Sequence, residues 1–292
     1  MAWDFQTDPE FQKKLDWAKD FVVNELIPLE PLLGEFSDDV WQRDILAPLK
    51  QKVKDQDLWA CHLEKELGGQ GYGQLPLALM NLVTGRCPFA QEVFGNMAPD
   101  SGNAELLAEG GTEAQKEKWL WPNLRGDIRS SFAITEPWVA GTDPTQIQTT
   151  AVLDGDEWVI NGRKWMITNA SRSDFIIFMC VTDADAPVHQ RCSMIVVEKG
   201  TTGMDVFRDI PTMHHPVESF GELGGHAEIT LDNVRVPRDN LIGEVGGGFI
   251  LSQVRLGPGR IHHATRWLAE AERAFDMLCE RAQSRFSFGK PY

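Results

Sequence analysis

Two short segments hold the residues with most scope for chemistry. The first is Phe132-Ala133-Ile134-Thr135-Glu136-Pro137-Trp138-Val139-Ala140-Gly141-Thr142-Asp143, a short apolar strand entering a Pro/Gly turn rich in hydroxyls. Such a turn can present backbone N–H groups to an anion or to the polar edge of a heteroaromatic ring. The second is Gly162-Arg163-Lys164-Trp165-Met166-Ile167-Thr168-Asn169, which sets Trp165 and Thr168 near each other at the end of a strand. An indole face beside a hydroxyl donor suits a flat, polar ring system. The residues alone leave a second reading open: a hairpin with a core tryptophan and a solvated threonine.

Other chemical candidates dissolve on inspection. Gly68-Gly69-Gln70-Gly71-Tyr72-Gly73 fits neither GxGxxG nor GxxxxGKS, and no strand precedes it, so it reads as a turn before a helix. Gly246-Gly247-Gly248 reads the same way. His214-His215 and His262-His263 are adjacent pairs whose side chains point apart on a helix or a strand, and no metal is expected. The five cysteines are odd in number, dispersed and without a CxxC pair, which argues against a disulfide framework and for a reducing compartment, the cytoplasm.

The elements that must position these residues form an α+β pattern. Phe11, Leu15, Ala18, Val22, Leu26 and Leu29 recur at steps of three and four, so an amphipathic helix follows Asp8-Pro9 and ends near Pro28 and Pro31. Helical stretches continue around 41–55, 75–84, 102–109 and 113–121, the last opened by a capping box from Thr112 to Gln115. From about 130 the period becomes two, with strands around 147–153, 158–160, 175–181, 193–197, 228–231 and 234–236. After 246 helical spacing returns, and Ile261, Ala264, Leu268, Ala271, Phe275, Leu278 and Ala282 form a narrow apolar seam. That seam must face the N-terminal helices, another subunit or a further segment. The expected domains are helical (1–129), β barrel or sandwich (130–241), and the first long helix of a C-terminal helical bundle (242–292).

Bulk properties exclude several classes. The chain has 292 residues, 42% of them apolar and 24% charged, so it is globular rather than disordered. A net charge of −15 repels nucleic acid. No run approaches the ~18 apolar residues of a membrane span, and the acidic start Met1-Ala2-Trp3-Asp4 is no secretory signal.

Taken together, the two segments resemble the flavin-contacting motifs of the acyl-CoA dehydrogenase family, written TEP-x-AGSD and KxWIT. Gly111-Thr112-Glu113-Ala114-Gln115-Lys116 resembles that family's GTEEQK stretch. Asn233-Val234-Arg235-Val236-Pro237 with Asn240-Leu241-Ile242-Gly243 resembles its VxVP…NxxG stretch, and Arg285-Phe286-Ser287-Phe288-Gly289 its RxxFG motif. The matches keep their order along nearly the whole chain.

The resemblance implies an FAD-dependent oxidation of an acyl-CoA to its 2,3-enoyl form, with α-proton abstraction and β-hydride transfer to flavin N5, as in fatty acid metabolism. It assigns cofactor contacts to Phe132, Ile134, Thr135, Gly141, Thr142, Trp165, Ile167 and Thr168. Arg285, Ser287 and Phe288 would reach the FAD of a neighbouring subunit in a homodimer or homotetramer. An electron-transfer flavoprotein or similar acceptor is the implied redox partner. The turn departs from the pattern by one extra residue at Trp138-Val139 and by Thr142 in place of serine. No catalytic base is assigned. A minority of the family place a glutamate before the arginine matched by Arg260, but here that residue is Gly259. The base is therefore expected outside this chain. Arg260 would support substrate or base, or would be a surface cation. Glu136 reads as a turn residue. The alternative is a truncated, non-catalytic member that binds FAD, acyl-CoA or a partner chain.

Overall fold

The computed structural model describes residues 6–212 and 225–291. His214-His215 lies outside the described residues. Among those described, five helices of nine residues or more run Pro9–Phe21 (α1), Ala47–Asp55 (α2), Gln74–Thr84 (α3), Asp100–Gly110 (α4) and Gly248–Ser284 (α5). The chain divides into two compact units. One joins the N-terminal helices up to Asn96 with the chain from Pro258 onward, and the other spans Met97–Gly257 with Ser37–Trp41.

In the helical unit, α1 starts where its cap dictates: Asp8 Oδ1 accepts from the N–H groups of Glu10 and Phe11, both at 3.0 Å. Leu15, Ala18, Val22 and Leu26 of the expected stripe are buried. A short 3₁₀ stretch, Ile27–Leu32, holds the two prolines that close this helix.

α5 enters this unit with a different face from the one its apolar spacing suggested. Ala269 is fully buried, and Arg266 donates from Nε to Asn81 Oδ1 (3.1 Å) and from Nη2 to Asn96 O (2.9 Å). Arg273 reaches Glu30 Oε2 at 2.7 Å and Arg86 O at 2.6 Å. Gly85 permits the approach, because a Cβ there would lie 2.7 Å from Arg266 O and 2.8 Å from Asn81 O. The apolar seam therefore does not face the N-terminal helices. Leu268 (52%), Phe275 (64%) and Leu278 (63%) stand exposed. Arginines with specific carbonyl, amide and carboxylate partners outcompete the seam for the packed face.

The second unit carries an eight-stranded sheet of Ser130–Ala133 (β1), Thr150–Asp154 (β2), Glu157–Thr168 (β3), Phe175–Val181 (β4), Cys192–Glu198 (β5), Met204–Ile210 (β6), His226–Pro237 (β7) and Leu241–Ile242 (β8). The order is β6-β7-β3-β2-β4-β5-β8, with β1 pairing parallel to β4. Trp158, Ile160, Ile176, Phe178, Ile195 and Ile229 belong to its core. β6 escaped the sequence reading because it ends the sheet path and its Asp205, Arg208 and Asp209 mask the alternation. β7 is one strand rather than two, with Asn233 at φ 49° taking the irregular position and donating its N–H to Asn161 Oδ1 at 2.8 Å.

The capping box forms as expected. Thr112 Oγ1 accepts from Gln115 N at 3.3 Å, and Gln115 Oε1 accepts from Thr112 N at 3.0 Å. Gln115 Nε2 also donates to Asp239 O and Leu241 O at 2.7 and 2.8 Å, tying this helix start to the strand end at β8.

Candidate functional site

The two chemical segments meet. β1 delivers the chain into the 134–143 turn, and the end of β3 runs beside it. Thr135 Oγ1 donates to Trp165 O at 2.6 Å, and Trp165 N donates back to Thr135 O at 3.1 Å. Ser131 Oγ donates to Thr168 O at 2.6 Å. These bonds clamp the turn to the strand without using either side chain's outer surface.

A bulge sets what faces outward. The pairing of β3 with β7 shifts register between Lys164 and Ile167, and Met166 adopts φ 56°. The extra residue re-aims its neighbours. Lys164 and Ile167 point into the interior, whereas Trp165 is half-buried and Met166 exposed. Trp165 is thus only partly buried, in contrast to the core Trp158 on the same strand. Thr168 Oγ1 lies 3.0 Å from His226 Nδ1, opposite it in the β3–β7 register.

Beneath the turn lies a buried ion pair. Lys164 Nζ is 2.8 Å from Glu136 Oε1 and also donates to Met179 O (2.8 Å) and Ile134 O (3.1 Å). Glu136 accepts further bonds from Gln148 N, Thr149 N and Thr149 Oγ1 at 2.8, 2.9 and 2.6 Å. Burial pushes the Glu136 carboxyl up, but the Lys164 charge and the bonds from Lys164 and Thr149 outweigh it and hold it below the usual range. Both carboxylate oxygens are engaged, so Glu136 shapes the turn and is no proton acceptor.

The remaining expected residues are distributed as follows. Phe132 is buried, Ile134 and Thr135 are half-buried, and Gly141 and Thr142 are exposed. Gly141 folds back so closely that a Cβ there would meet Thr135 Cγ2 at 3.0 Å. Trp138, in the extra-residue position, is 79% exposed. Arg260 is exposed on α5, in the helical unit. Arg285, Ser287 and Phe288 belong to that unit too, in a hairpin of Phe286–Ser287 (β9) with Lys290–Pro291 (β10). Phe288 and Gly289 form its two-residue turn with φ 54° and 78°, and Phe288 is wholly exposed at the tip.

Sequence reasoning missed the polar layer behind β1. Arg255 of α5 lies over Phe132, with Cζ 4.1 Å from the ring centroid, and its Nε donates to Asn103 Oδ1 at 3.0 Å. Asn103 Nδ2 donates to Ser130 Oγ at 2.9 Å, and Asp100 Oδ1 accepts from Ser130 N and Oγ. These partners are up to 152 positions apart, and no local pattern links them.

The structure brings together a partly buried tryptophan, a threonine hydroxyl within hydrogen-bond distance of His226, and a glycine turn that comes close to Thr135. Two family models match the chain, the acyl-CoA dehydrogenase N-terminal domain over residues 8–127 and the middle domain over 131–234. FadE2 of Mycobacterium tuberculosis, named a probable acyl-CoA dehydrogenase, is 44% identical over 85% of this chain and 60% of its own length. Mouse acyl-CoA dehydrogenase family member 10 is 38% identical over 97% of this chain and 27% of its own. A Mycobacterium abscessus structure described as an acyl-CoA dehydrogenase matches with TM-score 0.89 and 41% identity, over 98% of this chain and 73% of that one. The glutaryl-coenzyme A dehydrogenase complex with glutaryl-CoA matches at TM-score 0.81 and 26% identity, over 99% of this chain and 70% of that one. The chain thus spans about 60% or less of the curated relatives named here.

Proposed function

The chain belongs to the acyl-CoA dehydrogenase family, and from that premise we propose that it holds FAD and contributes to oxidising an acyl-CoA thioester to its 2,3-enoyl form. The observation that carries this reading is the reciprocal Thr135–Trp165 clamp, which joins the turn to the end of β3 and leaves Trp165 only partly buried. Phe132, Ile134, Thr135, Gly141 and Thr142 from the turn, with Trp165, Ile167 and Thr168 from β3, would hold the cofactor. FAD, when bound, supplies the hydride acceptor.

This chain's own residues bind, orient and shield. Trp165 would cover one face of a planar ring and keep water from it. With the proton on His226 Nδ1, that nitrogen donates to the Thr168 hydroxyl, whose own proton would then be available to a ring edge. The Thr135 hydroxyl donates to Trp165 O, so toward a ligand it acts as an acceptor, and backbone N–H groups of the turn are the donors. Glu136 is spent on Lys164 and Thr149, and Gly259 has no proton-accepting side chain. On the family resemblance the α-proton would go to a base outside this chain, a reading that the greater length of the relatives supports. The β9–β10 hairpin, with Phe288 free at its tip, suits contact with the cofactor of a second copy in a homodimer or homotetramer. An electron-transfer flavoprotein or similar carrier would take the electrons.

The test is the visible spectrum after FAD addition and gel filtration. Retained flavin absorbance, lost in Trp165→Ala, supports the reading, and a colourless protein overturns it. Anaerobic bleaching by hexanoyl-CoA then tests the dehydrogenase step in a form extended to the relatives' length. A second reading, a non-catalytic family member, is favoured by the commitment of Glu136 to its ion pair. It predicts bound flavin that no acyl-CoA bleaches, even in the extended form.

A further inference from the structure

Arg255, in the second turn of α5, is a cation held in place with no ion-pair partner among the described residues. Asn103 Oδ1 binds its Nε at 3.0 Å and the Phe132 ring lies 4.1 Å from its Cζ. Gly102 makes room for it, since a Cβ there would meet Arg255 Cγ at 3.0 Å and Nε at 3.2 Å. These contacts fix the plane of the guanidinium. Among the described residues, neither terminal nitrogen has a hydrogen-bond or ion-pair partner. Glu105, one turn beyond Gly102 on the same face of α4, feels its charge but makes no ion pair with it. Burial lifts the Glu105 carboxyl to about 7, against the pull of Arg255, so near neutrality it is about half protonated and offsets the cation only in part.

Arg255 is only partly buried, so its guanidinium is held in plane by Asn103 and Phe132 while its terminal N–H edges stay open to a ligand. The planar fork matches one partner best, a carboxylate bound through two oxygens. Resting on the acyl-CoA reading above, we propose that Arg255 is a specificity-determining residue that receives a second carboxylate, borne on the acyl chain of the substrate. The phosphates of coenzyme A share the charge, but they are strongly hydrated groups and Arg255 lies against a buried ring. Glu105 takes up a proton as the carboxylate arrives, so the chain-borne anion binds more tightly as pH falls through about 7.

The experiment compares adipoyl-CoA, hexanoyl-CoA and coenzyme A alone, titrated into the FAD-loaded protein by calorimetry. Adipoyl-CoA is expected to bind about 10-fold or more tightly than hexanoyl-CoA, a ratio typical of a charge-assisted bidentate bond. Arg255→Met should bring the ratio to about one, and Glu105→Gln should retain it while flattening its pH dependence. Equal affinities in the unmodified protein, or an unchanged ratio in Arg255→Met, overturn the proposal. If Arg255→Met fails to fold, the Glu105→Gln profile decides: a pH dependence identical to the parent overturns it. Loss of affinity for coenzyme A itself in Arg255→Met assigns the cation to a phosphate and overturns it as well. Failure to retain flavin sinks the family-based reading instead, so the two failures are distinguishable.

Discussion

The Lys164–Glu136 pair shows what single side chains contribute. It is sealed, and every lone pair or proton that faces inward has a partner. Removing one member strands the other charge, so Lys164→Met should cost about 3–5 kcal/mol by urea denaturation, whereas Lys164→Met with Glu136→Gln should cost less than Lys164→Met alone. Glu105 makes the opposite case. Its folded-state carboxyl sits at about 7, above its ordinary value of 4.5, so its contribution is full below about 4.5 and fades as pH rises through 7. Glu105→Gln should therefore leave the melting temperature nearly unchanged at pH 4 and raise it at pH 8, and a constant difference across that range would contradict the assignment. Sequence could flag Trp165, Thr135 and Thr168, because hydroxyls and an indole beside a Pro/Gly turn are local facts. It could not flag Arg255 or Glu105, whose meaning comes from a ring and an amide far along the chain.

At the level of elements, caps and periods were legible and competition for faces was not. Asp8, Thr112 and Gln115 form their caps from neighbours a few residues away. β2 follows from alternation, and β4 and β5 from continuous apolar runs, whereas the edge position of β6 tolerates charge and hides its pattern. For α5 the sequence left open what covers the apolar stripe, because spacing identifies a stripe but not its partner; Arg266 and Arg273 find partners far earlier in the chain and leave that stripe exposed. The close approach at Gly85 follows from that choice. Gly85→Ala should destabilise the helical unit by about 1–3 kcal/mol, read as a lower urea midpoint, because the atoms a methyl would meet are backbone.

For the whole molecule, fold class was the easiest part to infer, since helical and strand periods occupy separate stretches and the motifs keep their order. The exposed row on α5 has consequences at this scale. Leu268→Glu with Phe275→Glu touches side chains already in water and should leave the melting temperature nearly unchanged while lowering light scattering at high protein concentration. Ala269→Glu, one residue away and fully buried, should unfold the helical unit or lower its melting temperature steeply. Similar losses for both variants would mean that the row is covered. Lys164 adds a last consequence. Its amine has no exposed surface and three acceptors around it, so an amine-reactive reagent can acylate it only in molecules that have opened. The rate at which that one position is tagged is a clock for opening of the β unit.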